Sequence, residues 1–504
     1  MSEAPYTVRG PTGDWEIVVG LEVHAQVTAK SKLFSGAAAS FGAAPNTQVS
    51  LVDAAMPGML PVLNGECVRQ AVRTGLALDA EIHRVSRFDR KNYFYADLPQ
   101  GYQISQLYHP IVGEGHLDIE PDGEVPKRIG IERLHLEQDA GKSVHDGHAT
   151  MTYVDLNRSG CALMEIVSKP DIRSPAQAGA YIQELRELLQ RVGSCDGNME
   201  EGSMRADVNV SVRRPGEPFG TRTETKNVNS VRFIMATVEA EARRQVDVIE
   251  AGGTIVQETR LFDPDRMTTR PMRSKEDAHD YRYFPDPDLL PLELTDDFVA
   301  ACRTSLLELP RPIRTRLVEV LGLTGYQAKI LVRQSWVDFF DDLTRRSAHL
   351  SNISLADAAK SAANLILNDI FGFLKSSGFE GGVDNVTGLP IGVFTTDQGA
   401  RLLALRYDGT LSGPLFKQVF DEMVGTSDDP LAIVDAKGWR QVSDTGAIDT
   451  AIATVLAANP DKVTQYRDGK EALFGFFVGQ TMRAMAGKAN PAVVNARLQV
   501  ALAG

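Results

Sequence analysis

Within residues 18–27, Glu22, His24 and Gln26 alternate with Leu21, Val23 and Ala25. β-Branched content and strict alternation predict a strand, whose alternate residues share a face. A carboxylate, an imidazole and an amide in one row offer lone pairs to a divalent cation or a metal–phosphate complex. The plainer alternative is a solvated strand face. Four more stretches repeat the design: Arg133, His135 and Glu137; Glu165 alone in an apolar run; Arg205, Asp207, Asn209 and Ser211; and Arg222, Glu224 and Lys226. Five such rows predict a sheet with one charged, concave face, where acids would hold Mg²⁺ and Arg or Lys would hold phosphate oxygens.

Other chemistry is excluded or set apart. Gly141-Lys142-Ser143 ends like a phosphate-binding P-loop, but Leu136 stands where the first glycine is required, and no GxGxxG follows a predicted strand. Cys67, Cys161, Cys195 and Cys302 are far apart, which argues against a zinc site or a disulfide framework and for buried thiols. Two aromatic-polar stretches, 91–106 and 272–285, could stack a nucleobase or an RNA end, or could simply be packed loops.

The elements that must position these groups are legible in outline. A helix is expected from the cap Ser174, with Pro175 in its first turn and Gln177 as capping-box partner, to a stop at Gly193. A second runs from near Ser230 to Gly252. Both carry apolar stripes that suit covering a sheet. Strands are expected within 200–213, 221–227 and 254–262. Prolines at 285, 287 and 291 mark a hinge, and a Gly-rich break covers 376–392. The expected division is a flexible N-terminus over 1–14, an α+β body over 15–294, a helical connector over 295–375 and a helical tail over 376–504. From Asp461 onward Lys462, Arg467, Lys470, Arg483, Lys488 and Arg497 face three acids, a basic island suited to a phosphate backbone or else an ordinary helical module.

At 504 residues the chain exceeds one core, and its 43% hydrophobic and 24% charged composition is that of a soluble globular protein. A net charge of −13 argues against a general nucleic-acid coat, so any RNA contact should be local. The N-terminus carries no apolar signal-peptide core and no run approaches a membrane span, so a cytoplasmic location without membrane contact is expected.

The chain resembles the B-subunit family of the aspartyl/glutamyl-tRNA(Asn/Gln) amidotransferases along nearly its whole length. VGLEVHAQ, LPQGYQISQ, HLEQDAGK, DLNRSGCALMEIVSKPD, EGSMRADVNVSVR, TETKNVNSVRF and the tail block YRDGKEALFGFFVGQTMRAMAGKANPAVVN carry the likeness. The resemblance implies a body of mixed or antiparallel sheet similar to the glutamine synthetase/guanido kinase fold, followed by all-α connector and tail domains. It implies ATP- and Mg²⁺-dependent phosphorylation of the side-chain carboxylate of Glu-tRNA(Gln) or Asp-tRNA(Asn). Ammonia from the amidase, the A component of a heterotrimer tied together by a small C component, would then displace the phosphate: a carbon–nitrogen ligase with glutamine as amido donor. By motif, Glu22, His24, Glu137, Asp207 and Glu224 are the catalytic and metal candidates, with Glu165 a weaker one. Chemistry adds Arg205 and Lys226 for the nucleotide's phosphates. The tail is expected to bind tRNA through Arg467, Lys470, Arg483 and Lys488. Many relatives carry a cysteine cluster where Ser50 and Asp53 stand here, so no zinc is expected. Gln138 replaces a frequent acid. The competing readings are a non-catalytic tRNA-binding scaffold for the amidase and a free-standing ligase for small molecules.

Overall fold

The computed structural model describes residues 6–145, 148, 150–272, 281–377, 395–441 and 444–503. It has two compact units, 1–310 and 311–504. No described helix is long and apolar enough to cross a membrane.

The first unit is built on a sheet of nine strands among the described residues. Six of them frame the polar rows: β1 (Gly13–Gln26), β2 (Lys127–Gln138), β3 (Ala162–Ser168), β4 (Met204–Arg213), β5 (Thr223–Val228) and β6 (Thr259–Asp263). Their order is β6-β5-β4-β1-β3-β2, so the strand carrying Glu22 and His24 lies near the centre. All of these neighbours are antiparallel except the parallel pair β5–β6.

Alternation sorts the two faces. Leu21, Val23, Ala25, Leu134, Leu136, Met164, Ile166, Ala206, Val208 and Val210 are fully buried. They belong to one core with Tyr181, Ile182 and Leu185 of α1 (Pro175–Val192) and Ile234, Val238 and Ala242 of α2 (Val231–Glu250). A slip of one residue in β1 would drive Glu22 and His24 into that core, so burial of the apolar face fixes the register of the polar one.

The two helices begin where expected. Ser174 accepts from the Gln177 amide at 3.0 Å, and Gly193 closes α1 at φ +72°, a left-handed conformation that glycine adopts without penalty. Ser230 caps α2 in the same way. The expected capping box is altered: the Gln177 side chain accepts from the Arg173 amide and donates to Glu124, rather than returning to the Ser174 amide.

Two expectations about boundaries meet a different arrangement. Residues 7–14 are not a flexible lead-in, because Thr7–Gly10 pairs with the start of β1 and buries Val8 beside Trp15. The first compact unit runs past residue 294 to Pro310, because Val299 and Cys302 of the helix Asp296–Thr304 join its core. The second unit is helical. Among the described residues its buried apolar side chains form two clusters, one spanning Ile313 to Val434 and one spanning Ile448 to Leu502. The first cluster extends across the expected break at 376, and most of that Gly-rich stretch lies outside the described residues.

Candidate functional site

The five polar rows share one face. In register, Glu165 of β3 stands opposite His24 of β1 and His135 of β2, Asp207 of β4 stands opposite Glu22, Arg205 opposite His24, and Asn209 opposite Glu224 of β5. Chain segments far apart in sequence thus bring the candidate side chains together in two adjacent groups.

The first group is His24, His135, Glu137 and Glu165. His24 Nε2 lies 3.3 Å from Glu165 Oε2 and 3.5 Å from Glu137 Oε1. His135 Nε2 lies 3.6 Å from Glu165 Oε2 and 3.8 Å from Glu137 Oε2. Burial opposes charge on His24, but the hydrogen bond to Glu165 and the field of Glu137 outweigh it and push its pKa up to about 9. Glu165 moves the other way: burial disfavours its charge, yet His135 and His24 hold it well below the usual carboxylate range.

The second group is Glu22, Asp207 and Glu224, whose carboxylate oxygens lie within 4.8 Å of one another. Lys226 Nζ bridges Asp207 Oδ2 at 2.7 Å and Glu224 Oε1 at 2.6 Å. Asn209 Nδ2 donates to Glu22 Oε1 at 3.0 Å. Burial, followed by the charges of Glu165, Glu224 and Asp207, raises the pKa of Glu22. The β4–β5 register shifts between Ala206 and Val208, and Asn227 turns to φ +56°, which Asn tolerates. That turn lets the Asn227 amide donate to Asp207 Oδ1 at 2.9 Å, so the irregularity itself orients Asp207.

Both donor sets offer ligands for a divalent cation. One has two carboxylates and the His24 imidazole, from which a cation would displace the proton that Glu165 and Glu137 hold there. The other sets three carboxylates against one ammonium, a charge deficit that a doubly positive ion would fill.

The remaining candidates fall in different places. Arg205 turns toward the first group, where it donates to Asp139 Oδ1 at 3.3 Å. Arg133 pairs with its neighbour Glu132. Gln138 Nε2 reaches the Tyr102 carbonyl at 3.5 Å. Ser50 and Asp53 close a local turn whose carboxylate meets the buried Lys32 at 3.1 Å. In the tail, Arg467 donates to the Leu502 carbonyl and Lys488 to that of Gly438; Arg467, Lys470 and Arg483 are all exposed.

Two features escaped sequence reasoning. Lys91, in the strand Asp89–Asn92, has its ammonium 5.0 Å from the centre of the Tyr281 ring and 5.9 Å from that of Tyr93. Burial opposes its charge, but Glu137 foremost, with Tyr283 and Glu165, holds its pKa raised. Lysine before an aromatic pair was the available signal. Of the stretch 272–285, residues 273–280 lie outside the described residues. The second feature is a cavity of about 210 Å³ beside Glu22, lined also by Asn209, Ser211, Phe219 and Arg222. The Arg213 guanidinium lies 4.9 Å from the Phe219 ring centre at its margin.

Comparison with known proteins adds an independent finding. A family model described as the GatB/GatE catalytic domain matches residues 17–300, and one described as the GatB domain matches 349–502. The B subunit of an aspartyl/glutamyl-tRNA(Asn/Gln) amidotransferase from Novosphingobium aromaticivorans is 64% identical over 503 residues, covering 99% of both chains. Proteins of the same name from Rhizorhabdus wittichii and Zymomonas mobilis are 63% and 64% identical, covering 99% and 97% of this chain and 99% and 98% of their own.

Proposed function

The chain belongs to the B-subunit family of the aspartyl/glutamyl-tRNA(Asn/Gln) amidotransferases, and from that premise we propose that its first unit phosphorylates the side-chain carboxylate of glutamate or aspartate esterified to tRNA. A carboxylate resists ammonia because hydroxide leaves poorly. In an acyl phosphate, formed as the carboxylate oxygen attacks the γ-phosphorus of ATP and ADP departs, the leaving group is phosphate, which departs readily. Ammonia then attacks the acyl carbon, phosphate departs and the side-chain amide forms. The ammonia comes from a partner amidase, with a small third component completing the assembly, and the cytoplasm is where such an enzyme meets charged tRNA.

The observation that carries this reading is the convergence of Glu22, Asp207 and Glu224 from three neighbouring strands onto one point. Mg²⁺ bound there would screen the charge between triphosphate and carboxylate, the central difficulty of phosphoryl transfer. The protein's own groups do the rest. Asn209 fixes Glu22, and the Asn227 amide fixes Asp207. The cavity beside Glu22 and Arg222 would take the nucleotide, with Lys226 reaching its phosphates from the adjoining carboxylates Asp207 and Glu224. His24 and Glu137, with Glu165 beside them, would offer ligands to a divalent cation as well, with Arg205 and Lys91 as neighbouring positive charges. A largely antiparallel sheet with helices on one face and acids on the other supports kinship with the glutamine synthetase/guanido kinase fold. The helical tail would hold the tRNA body through its exposed basic side chains.

The test is made on the assembled complex. Glu22→Ala and Asp207→Ala should abolish tRNA-dependent ATP hydrolysis while glutamine hydrolysis and tRNA binding persist. Hydrolysis at the wild-type rate would instead reduce the chain to a tRNA-binding scaffold.

A further inference from the structure

Lys226 sits where a cation belongs. Its ammonium touches Asp207 and Glu224, two of the three carboxylates just assigned to the metal, at 2.7 and 2.6 Å. Glu22 is held separately, by Asn209. Three carboxylates this close repel one another strongly unless a positive charge stands among them. The folded chain supplies that charge itself, from two residues beyond Glu224 on the same face of β5.

The lysine is also placed to move. Its side chain is 38% exposed, whereas those of Asp207 and Glu224 are 7% and 25% exposed. The acids are fixed from elsewhere: Asp207 by the Asn227 amide, and Glu224 by the Thr259 hydroxyl at 3.1 Å. Removing Lys226 from its two partners therefore leaves their other hydrogen bonds intact. A flexible four-carbon stem can reach more than one anion, and its ammonium binds phosphate oxygens as readily as carboxylates.

We propose that Lys226 is a partner-exchanging counter-ion: it neutralises Asp207 and Glu224 while the cleft lacks metal, yields them to the divalent cation, and passes to the phosphates that arrive with it. The exchange rests on the metal-site reading above and adds an order of events to it. A free divalent cation must compete with the lysine for two ligands, whereas a cation arriving with a nucleotide brings the lysine a new partner. The site thus favours metal–nucleotide over metal alone.

The experiment uses the full-length chain with Mn²⁺ as probe, followed by electron paramagnetic resonance. Lys226→Met should bind Mn²⁺ alone about tenfold more tightly than wild type, and Mn²⁺ with a non-hydrolysable ATP analogue about tenfold more weakly. Lys226→Arg, which keeps the charge, should restore wild-type Mn²⁺ affinity. A lysine that merely braces the strands predicts weaker binding of both, and one that only grips phosphate predicts unchanged Mn²⁺ affinity; either result overturns the exchange. Wild-type chain gives a second measurement without mutation. Acetylation of Lys226 by an amine reagent, read by mass spectrometry, should rise on adding Mn²⁺ alone and fall when the analogue follows. Labelling indifferent to Mn²⁺ overturns the proposal while leaving the metal site standing. Failure of wild type and variants alike to bind Mn²⁺ overturns both.

Discussion

Glu165 Oε2 lies 3.3 Å from His24 Nε2, and the two residues are direct cross-strand partners on β3 and β1. The same oxygen is 3.6 Å from His135 Nε2, so one carboxylate holds two imidazoles in place. Glu165→Gln keeps the shape and removes the charge. Loss of a preorganised charge beside the reacting groups is expected to lower kcat for tRNA-dependent ATP hydrolysis by about 100-fold, and the thermal unfolding midpoint falls as well, because two histidines lose their buried partner. A role limited to balancing the histidines would lower stability and spare turnover.

Asn209 is the second-strand support of Glu22, donating to it at 3.0 Å from β4. Asn209→Ala should lower kcat/KM for ATP about tenfold, since Glu22 keeps its carboxylate but loses its orientation. Asn209→Asp should be worse. It adds an anion to a cluster in which burial and three neighbouring acids already raise the pKa of Glu22. Mg²⁺ titration of the ATP hydrolysis rate separates the two, because only the aspartate variant changes the charge of the site.

The alternation of polar and apolar residues made the sheet face legible in the sequence, and the face holds Glu22, His24, Glu137, Asp207 and Glu224 as alternation requires. Neighbourhood across strands was not legible. Glu165 reads locally as a lone acid in an apolar run, because its partners His24 and His135 come from other strands. For the same reason Arg205 reads as a free cation for phosphate, although its guanidinium turns to Asp139. The hairpin formed by residues 7–14 was hidden by glycine and proline in a short segment whose anchors, the pairing with β1 and the hydrogen bonds of Thr12 to Glu250 and Arg214, come from distant parts of the chain. A local pattern reports which face a side chain takes, whereas topology decides what it meets there.

Glu241 of α2 is fully buried behind the edge of the sheet. Its carboxylate accepts from Thr223 of β5 at 2.7 Å, from Thr269 at 2.6 Å and from Gln245 at 3.0 Å, and pairs with Arg244 and Arg260. Burial would raise its pKa, but the hydrogen bonds from Arg244, Thr269, Thr223 and Gln245 together lower it below the ordinary 4.5. A depressed pKa means that the folded state prefers the anion. The stabilisation is therefore present above the unfolded value and lost as pH falls through it toward the folded one. Glu241→Gln should cost about 3 kcal/mol at pH 7, because two arginines lose a buried partner. The gap between wild-type and variant melting curves should close progressively below pH 4.5. A gap independent of pH would mean that the contribution comes from packing rather than charge.

The basic tail separates into two kinds of residue, and the separation can be measured. Arg467 and Lys488 donate to main-chain carbonyls, of Leu502 near the end of the last helix and of Gly438 at the C-cap of the helix Pro430–Lys437. Cations at helix C-termini satisfy carbonyls that have no intrahelical partner and oppose the negative end of the dipole. Arg467→Ala and Lys488→Ala should therefore lower tail stability by about 1 kcal/mol each, seen as earlier thermal unfolding. Arg483 is exposed and available to a phosphate backbone. Arg483→Ala should leave the melting curve in place, weaken tRNA binding, and reduce the slope of log affinity against log salt by about one unit, the signature of one lost phosphate contact. Lys470 is also exposed and bonds only through the neutral Gln465 side chain among the described contacts, so Lys470→Ala should behave like Arg483→Ala. Unchanged salt slopes in both variants would show that the tail does not meet tRNA through Arg483 or Lys470.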